Sequence, residues 1–446
     1  MPDTSSRNYQ LASYEVRDVR FGDATAFAGG VLTIDKDELR ALILESPLIG
    51  DVEINLIAPG DDVRVIHILD VAEPRVRISD PGIDFPGVVG QLHPVGIGVT
   101  NRLSGVAITQ TLPALPTEPA YWRESILDMS GEGARYSTFS GLRHLVLSFT
   151  PSDALSFQEG GDESLHNVFE GSPEVMRIKN EVRAAALKAG VYLAQTTKDL
   201  APDYVDTYEP PGEKGEGLPR FIYMDQVQGP RFYGQVLPRA GAMAGAQHLP
   251  VFVNPAEVLD GALVQMSSLG GTMRDYTYLL QNHPVIKEMY RRHGTELDFR
   301  GMLLCSNGDN TRSKQTVATV SAGIARYLGA DGVVLSHLGG GHPMVDVMRT
   351  CKELESHGIN TVLMLMEMSS TQGESGFVDF VPEADAIVST GNFEQTVDLK
   401  PVEKLYGGTH LMELGDAAAG PLNVTIRHIL ASTSTFGIGQ LRGADL

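Results

Sequence analysis

Hydrophobic and polar positions along this chain follow two rhythms. Up to about residue 150, short apolar runs rich in Val and Ile are broken by turn residues, as in "DVEINLIAPGDDVRVIHILDVAEPRVRI" and "SGVAITQTL". That pattern predicts a mainly antiparallel, β-rich domain with few helices. One helix is expected in "DKDELRALILESP", capped by Asp35, with Leu39, Leu42, Ile43 and Leu44 as its apolar face. The polar stretch "FQEGGDESLHNVFEGSPE" reads as an exposed connection. The run "SPEVMRIKNEVRAAALKAGVYLAQTT" repeats its apolar residues at helical spacing, which predicts a long helix headed by Ser172. "YEPPGEKGEGLPR" is too rich in Pro and Gly for either a helix or a sheet.

From about residue 300 the rhythm changes. Continuous apolar runs ("RGMLLCS", "DGVVLSH", "INTVLMLME", "ADAIVST") alternate with amphipathic ones ("SKQTVATVSAGIARYLG", "PMVDVMRTCKELESHG"). Strands that are apolar throughout are buried on both faces, so the pattern predicts parallel strands covered by helices. The expected fold class is α/β: a β-rich N-terminal domain over 1–150, a helical and α/β connecting region over 151–298, and a doubly wound parallel α/β domain over 299–446.

Composition narrows the function. A net charge of −21 argues against nucleic acid or an anionic membrane as partner, since both require a basic face. The N-terminus has no basic and apolar signal pattern, and no apolar run approaches the roughly 18–20 residues that span a bilayer. A cytoplasmic protein is expected. The two cysteines, Cys305 and Cys351, are too few for a disulfide framework and form no CxxC; each reads as a small buried hydrophobe.

Ligands of parallel α/β sheets gather at the carboxyl ends of the strands. There "SHLGGGHPMVD" passes Gly339, Gly340, Gly341 and His342 into a helix. These residues form either a tight βα connection or a cradle of amides for a substrate carboxylate. "MEMSSTQGESG", with Ser370, and "VSTGNFE", with Asn392, end the next two strands as further candidate substrate contacts. His337 and His342 have no metal-ligand spacing, and no metal site is expected. GxGxxG, Walker and GxSxG patterns are all absent.

One other segment carries candidate chemistry: "LVQMSSLGGTMRD", residues 263–275. Locally it reads as a turn. A serine in a flexible peptide can also attack the preceding carbonyl; β-elimination, tautomerisation and hydrolysis then leave an N-terminal pyruvoyl group.

The chain as a whole resembles the precursors of component B of the glycine, sarcosine and betaine reductases, and more distantly the D-proline reductase proprotein. The resemblance rests on "VRDVRFGDATAFAGGVLTIDKDEL", "VAEPRVRI", "FPGVVG", "ILDMSGEGARYSTFS", "NPAEVLDGALV", "YTYLLQNHPVIKEMYRRHG", "YLGADGVVLS" and "CKELESHGINTV". In that family a cysteine four residues beyond the valine of the "NPAEVLDGALV" segment becomes the pyruvoyl group, and a second cysteine follows four residues later. Counted from Val264, these positions are Ser268 and Thr272. Serine yields the same dehydroalanine as cysteine, whereas threonine would leave a ketobutyryl group. Ser268 is therefore the candidate precursor, with cleavage after Ser267.

The resemblance implies that the pyruvoyl ketone forms a Schiff base with a small amine or amino acid. A selenocysteine or cysteine on a separate reductase subunit then displaces the amine, within an oligomeric complex. Two other readings stay open. One is an unprocessed paralogue that binds an amino-acid-like ligand or shapes a partner's active site; the other is a pyruvoyl enzyme of another reaction type, such as a decarboxylase.

Overall fold

The computed structural model describes residues 7–79, 84–113, 125–152, 172–212, 217–237, 249–266, 274–368, 377–392, 394–411 and 418–436. Its architecture is mixed α/β. The N-terminal part builds two four-stranded sheets. One runs in the order Tyr204–Tyr208, Tyr9–Glu15, Gly98–Ser104 and Arg75–Arg77; the other in the order Ile49–Ile57, Arg143–Pro151, Val106–Thr111 and Ile68–Ala72. Antiparallel pairing dominates, yet each sheet contains one parallel pair. Those pairs join strands separated by long stretches of chain, which leaves room for the crossover that parallel pairing needs.

The helix α1, Pro173–Ala194, packs on these sheets. Its N-cap is Ser172, whose hydroxyl accepts from the Val175 N–H, and Pro173 follows where its missing N–H costs nothing. Asp35 likewise caps the short helix Lys36–Ile43, which buries Leu39 and Ile43.

A six-stranded sheet carries the C-terminal half. Its strands are β1 (Arg220–Val227), β2 (Val251–Val253), β3 (Asp298–Ser306), β4 (Gly332–His337), β5 (Asn360–Glu367) and β6 (Ile387–Asn392). The spatial order is β2-β3-β1-β4-β5-β6, with β2 antiparallel to β3 and every other pair parallel. Two of these strands, β1 and β2, precede residue 299, and Lys404–Tyr406 returns to pair with Val63–Val65.

Helices cover both faces of this sheet. Tyr223 and Val227 of β1 share a core with α2 (Thr277–Gln281) and α3 (Pro284–Arg292). Ile222 and Met224 share another with α4 (Thr311–Tyr327) and α5 (His342–Ser356). That alternation follows from the two-residue period of a strand buried on both sides. Cys305 and Cys351 both lie in the second core as free thiols. No helix among the described residues is long and apolar enough to cross a membrane.

Candidate functional site

Ser267, Ser268 and Thr272 lie outside the described residues, but both flanks of their segment are described and buried. The flanks touch: Gln265 donates from its backbone N to Thr277 Oγ1 at 3.0 Å and from Nε2 to the Asp275 carbonyl at 3.3 Å. The upstream flank is anchored by Arg75, which donates to the Leu259 carbonyl, and by Asp260. The Asp260 carboxylate accepts from Arg77, Thr100 and the Gly96 N–H. Downstream, Arg274 donates to the Ile68 and Leu69 carbonyls, and Thr277 donates to Asp70 from N and Oγ1. Burial lifts the Asp70 carboxyl to about 6 against the pull of those Thr277 bonds. The dispersed motifs "VAEPRVRI", "NPAEVLDGALV" and "YTYLLQNHP" thus meet around one segment.

Asp275 carries that flank to the carboxyl edge of the six-stranded sheet. Among the five parallel strands, β1 lies between β3 and β4, so successive connections leave β1 and β3 in opposite directions; the gap between β1 and β4 is where such sheets bind ligands. At this gap Asp225 and Ser336 lie opposite each other in register. Ser336 donates to Asp225 Oδ1 at 2.8 Å and shares a 2.5 Å bond with the Tyr223 hydroxyl. Thr435 donates to Asp275 Oδ1 at 2.8 Å. Burial, reinforced by the charge of Asp275, raises the Asp225 carboxyl far above the usual range, and burial pushes Asp275 up to about 7. Beside them His283 is buried against Phe436 and Tyr223, with ring centroids 3.9 and 5.0 Å apart. Burial holds its imidazole down at about 3, hence neutral.

The loop after β4 occupies the α4–α5 face of the same edge. Gly341 is the N-cap of α5 at φ 66°, with no side-chain cap, and Gly339 has φ 95°. A Cβ on Gly340 would meet the sulfur of Met368, so any larger residue there would have to move that side chain. The buried pair Lys314–Asp346 ties this loop to the one after β3: Lys314 also donates to the Gly308 and His342 carbonyls, and Asp346 accepts from the Gly308 N–H. Here, among the described residues, the buried side chains of Asn307 and His337 have no partner. Asn392 ends β6 at the same edge, where its side chain accepts from the Glu394 N–H. Ser370 lies outside the described residues. No trio of His, Cys, Asp or Glu among the described residues could hold a metal.

The structure therefore places Gly339–His342 and Asn392 on one edge and adds residues that sequence reasoning missed: Asp225, Asp275, His283, Ser336 and Thr435. None belongs to a spaced motif. The one available signal was an acid closing the apolar run "FIYMD", since a charged residue at the end of a buried strand falls at the ligand edge.

Comparison with known proteins agrees over nearly the whole chain. Residues 8–439 match the family described as glycine/sarcosine/betaine reductase component B subunits. The chain is 29% identical over 449 residues to the glycine reductase complex component B subunits alpha and beta of Peptoclostridium acidaminophilum, spanning 97% of this chain and 98% of the relative. From the same organism, the sarcosine reductase complex component B subunit alpha is 28% identical over 451 residues, covering 97% and 98%. Its betaine reductase counterpart is 30% identical over 405 residues, covering 89% and 87%. No solved structure gives a significant match. A motif set that converges on the buried flanks of one segment, and a family match over residues 8–439, establish that this chain belongs to the glycine/sarcosine/betaine reductase component B subunits.

Proposed function

We propose that the chain is the substrate-activating subunit of a reductase complex that cleaves the C–N bond of a small amine or amino acid, using a pyruvoyl group made from Ser268. The observation that carries this reading is the meeting of both flanks of the 267–273 segment at the ligand edge of the sheet, through Asp275. In the self-cleavage, the Ser268 hydroxyl adds to the Ser267 carbonyl carbon, and the amide nitrogen leaves with a proton, giving an ester. Loss of the Ser268 Cα proton breaks the Cβ–Oγ bond. This frees residues 1–267 as a carboxylate and leaves dehydroalanine, which tautomerises and takes up water with loss of ammonia. Each step moves a proton, and Asp275 brings to the flank a carboxyl that ionises near neutral pH.

The residues present suit the group that results. Its ketone would withdraw electrons from the substrate's C–N bond, while this chain's own residues hold the substrate and manage its proton. A reducing nucleophile must come from elsewhere, because burial pushes the Cys305 and Cys351 thiols up to about 12. A thiol- or selenol-bearing partner subunit fits that need.

Intact-mass measurement tests the reading. The 48.1 kDa chain should separate under denaturing conditions into pieces of roughly 29 and 19 kDa. Ser268→Ala should give one full-length chain. Two pieces persisting in Ser268→Ala would refute the assignment, and a single full-length mass in the wild type would favour the unprocessed paralogue.

A further inference from the structure

Buried acids in this protein are generally matched by cations: Asp260 by Arg77, Asp128 by Arg64, Glu73 by Arg75 and Asp346 by Lys314. Among the described residues Asp225 and Asp275 take part in no ion pair, as is also true of Asp70 and Asp84, although all four are almost wholly buried; the bonds of Asp225 and Asp275 come from the hydroxyls of Ser336 and Thr435. Among the described residues Asp225 Oδ2 has no partner. Two carboxyls facing each other away from water are costly unless a proton or a cation lies between them.

A second, independent vacancy lies beside them. His283 Nδ1 accepts from the Ile286 N–H at 3.4 Å, so the neutral ring carries its proton on Nε2. That donor is buried and has no acceptor among the described residues. Its ring lies tilted against Phe436, the neighbour of Thr435, and meets the edge of Tyr223, whose hydroxyl bonds Ser336. Ser336 and Tyr223 thus link an unfilled acceptor, Asp225 Oδ2, to an unfilled donor, His283 Nε2, and the two match the ends of a small amino acid: an ammonium with N–H groups to give and a carboxylate to receive.

We propose that the Asp225–Asp275 pair is the receptor for the N–H-bearing ammonium of the substrate and the acceptor of its proton, with His283 Nε2 facing the substrate carboxylate. The inference rests on the functional reading above and adds substrate class and residues to it. The pair enters with one proton and one negative charge. The bound ammonium passes a proton to the ionised carboxylate, leaving a neutral amine with a free lone pair and both acids protonated; atoms and charge balance without another reactant. Among the described residues, the other titratable groups interacting with the pair are Tyr223 and Cys305, with His283 packed against Tyr223, and burial keeps each neutral near pH 7. The proton has no competing acceptor among them. A ligand whose nitrogen carries no hydrogen, such as betaine, cannot fill Asp225 Oδ2.

The test uses the full-length Ser268→Ala chain, in which no pyruvoyl group forms, so only non-covalent binding is read. Calorimetric titration with glycine, sarcosine and betaine at pH 7.5 should show the first two binding at least about tenfold more tightly than betaine, a difference of about 1.4 kcal/mol. Asp225→Asn and Asp275→Asn, near-isosteric changes, should each weaken glycine by about tenfold or more. Should either fail to fold, Thr435→Val, which removes the hydroxyl donor to Asp275, should weaken glycine in the same direction. Betaine binding as tightly as glycine, no measurable glycine binding, or unchanged glycine affinity in the variants overturns the proposal. Failure here leaves the wild-type mass result untouched, and an uncleaved wild type leaves this result untouched.

Discussion

At Asp275 a carboxyl group is buried to 3% exposure, accepts one hydroxyl bond and faces a second acid, and it holds its proton up to about 7 against an ordinary value of 3.8. The folded chain therefore binds a proton between about pH 4 and 7 that the unfolded chain has already lost. Stability from this group is fully present below the unfolded value and declines as pH climbs through the folded one. Asp70, raised to about 6, acts in the same direction. Asp275→Asn should accordingly flatten the decline: its melting temperature, relative to wild type, should rise from pH 5 to about pH 7 and level off above that. A difference that is constant over this range, or that falls, would show that Asp275 is ionised in the folded protein throughout.

At the scale of elements, α4 and α5 are fastened to the sheet edge by Lys314 and Asp346. The lysine and the acid are 4% and 1% exposed at the side chain. Replacing one member strands the other in a dry site, so Lys314→Met should cost about 3–5 kcal/mol in urea unfolding. Adding Asp346→Leu should recover much of that loss, because the apolar pair no longer leaves a buried charge alone. A loss below about 1 kcal/mol for the single change would mean that water reaches the site. The strand–helix alternation that holds this pair was legible from residue 300 onward, since each element carries its own period. The central strand β1 was not. Its run "FIYMDQV" sits between sequence stretches rich in Pro and Gly, so no local alternation marks it as part of the same sheet.

Over the whole molecule, the two pieces expected from cleavage after Ser267 are woven together. β1 and β2 belong to the first piece and β3 to β6 to the second, yet β3 lies hydrogen-bonded between β2 and β1. Lys404–Tyr406 of the second piece also pairs with Val63–Val65 of the first, and Asp70 and Arg75 of the first hold Thr277 and Gln281 of the second. Cleaved chain should therefore elute from a native sizing column as one species carrying both masses, and the pieces should part only with loss of the fold. Their separation in native buffer would contradict this sheet order.

The sequence by itself determined the capped helices at Asp35 and Ser172, the parallel strands after residue 300, the placement of Gly339–His342 and Asn392 at the carboxyl edge, and the family. Each depends on spacing within one short segment or on motifs read one at a time. Tertiary structure alone decided which acids share a site. Asp225 and Ser336 are 111 residues apart, and Asp275 and Thr435 are 160 apart, so no periodicity links them. Their chemistry comes from burial beside one another, and burial is a property of the packed fold: an exposed aspartate at any of these positions would be an ordinary carboxylate, with no proton to hold and no reason to receive an ammonium.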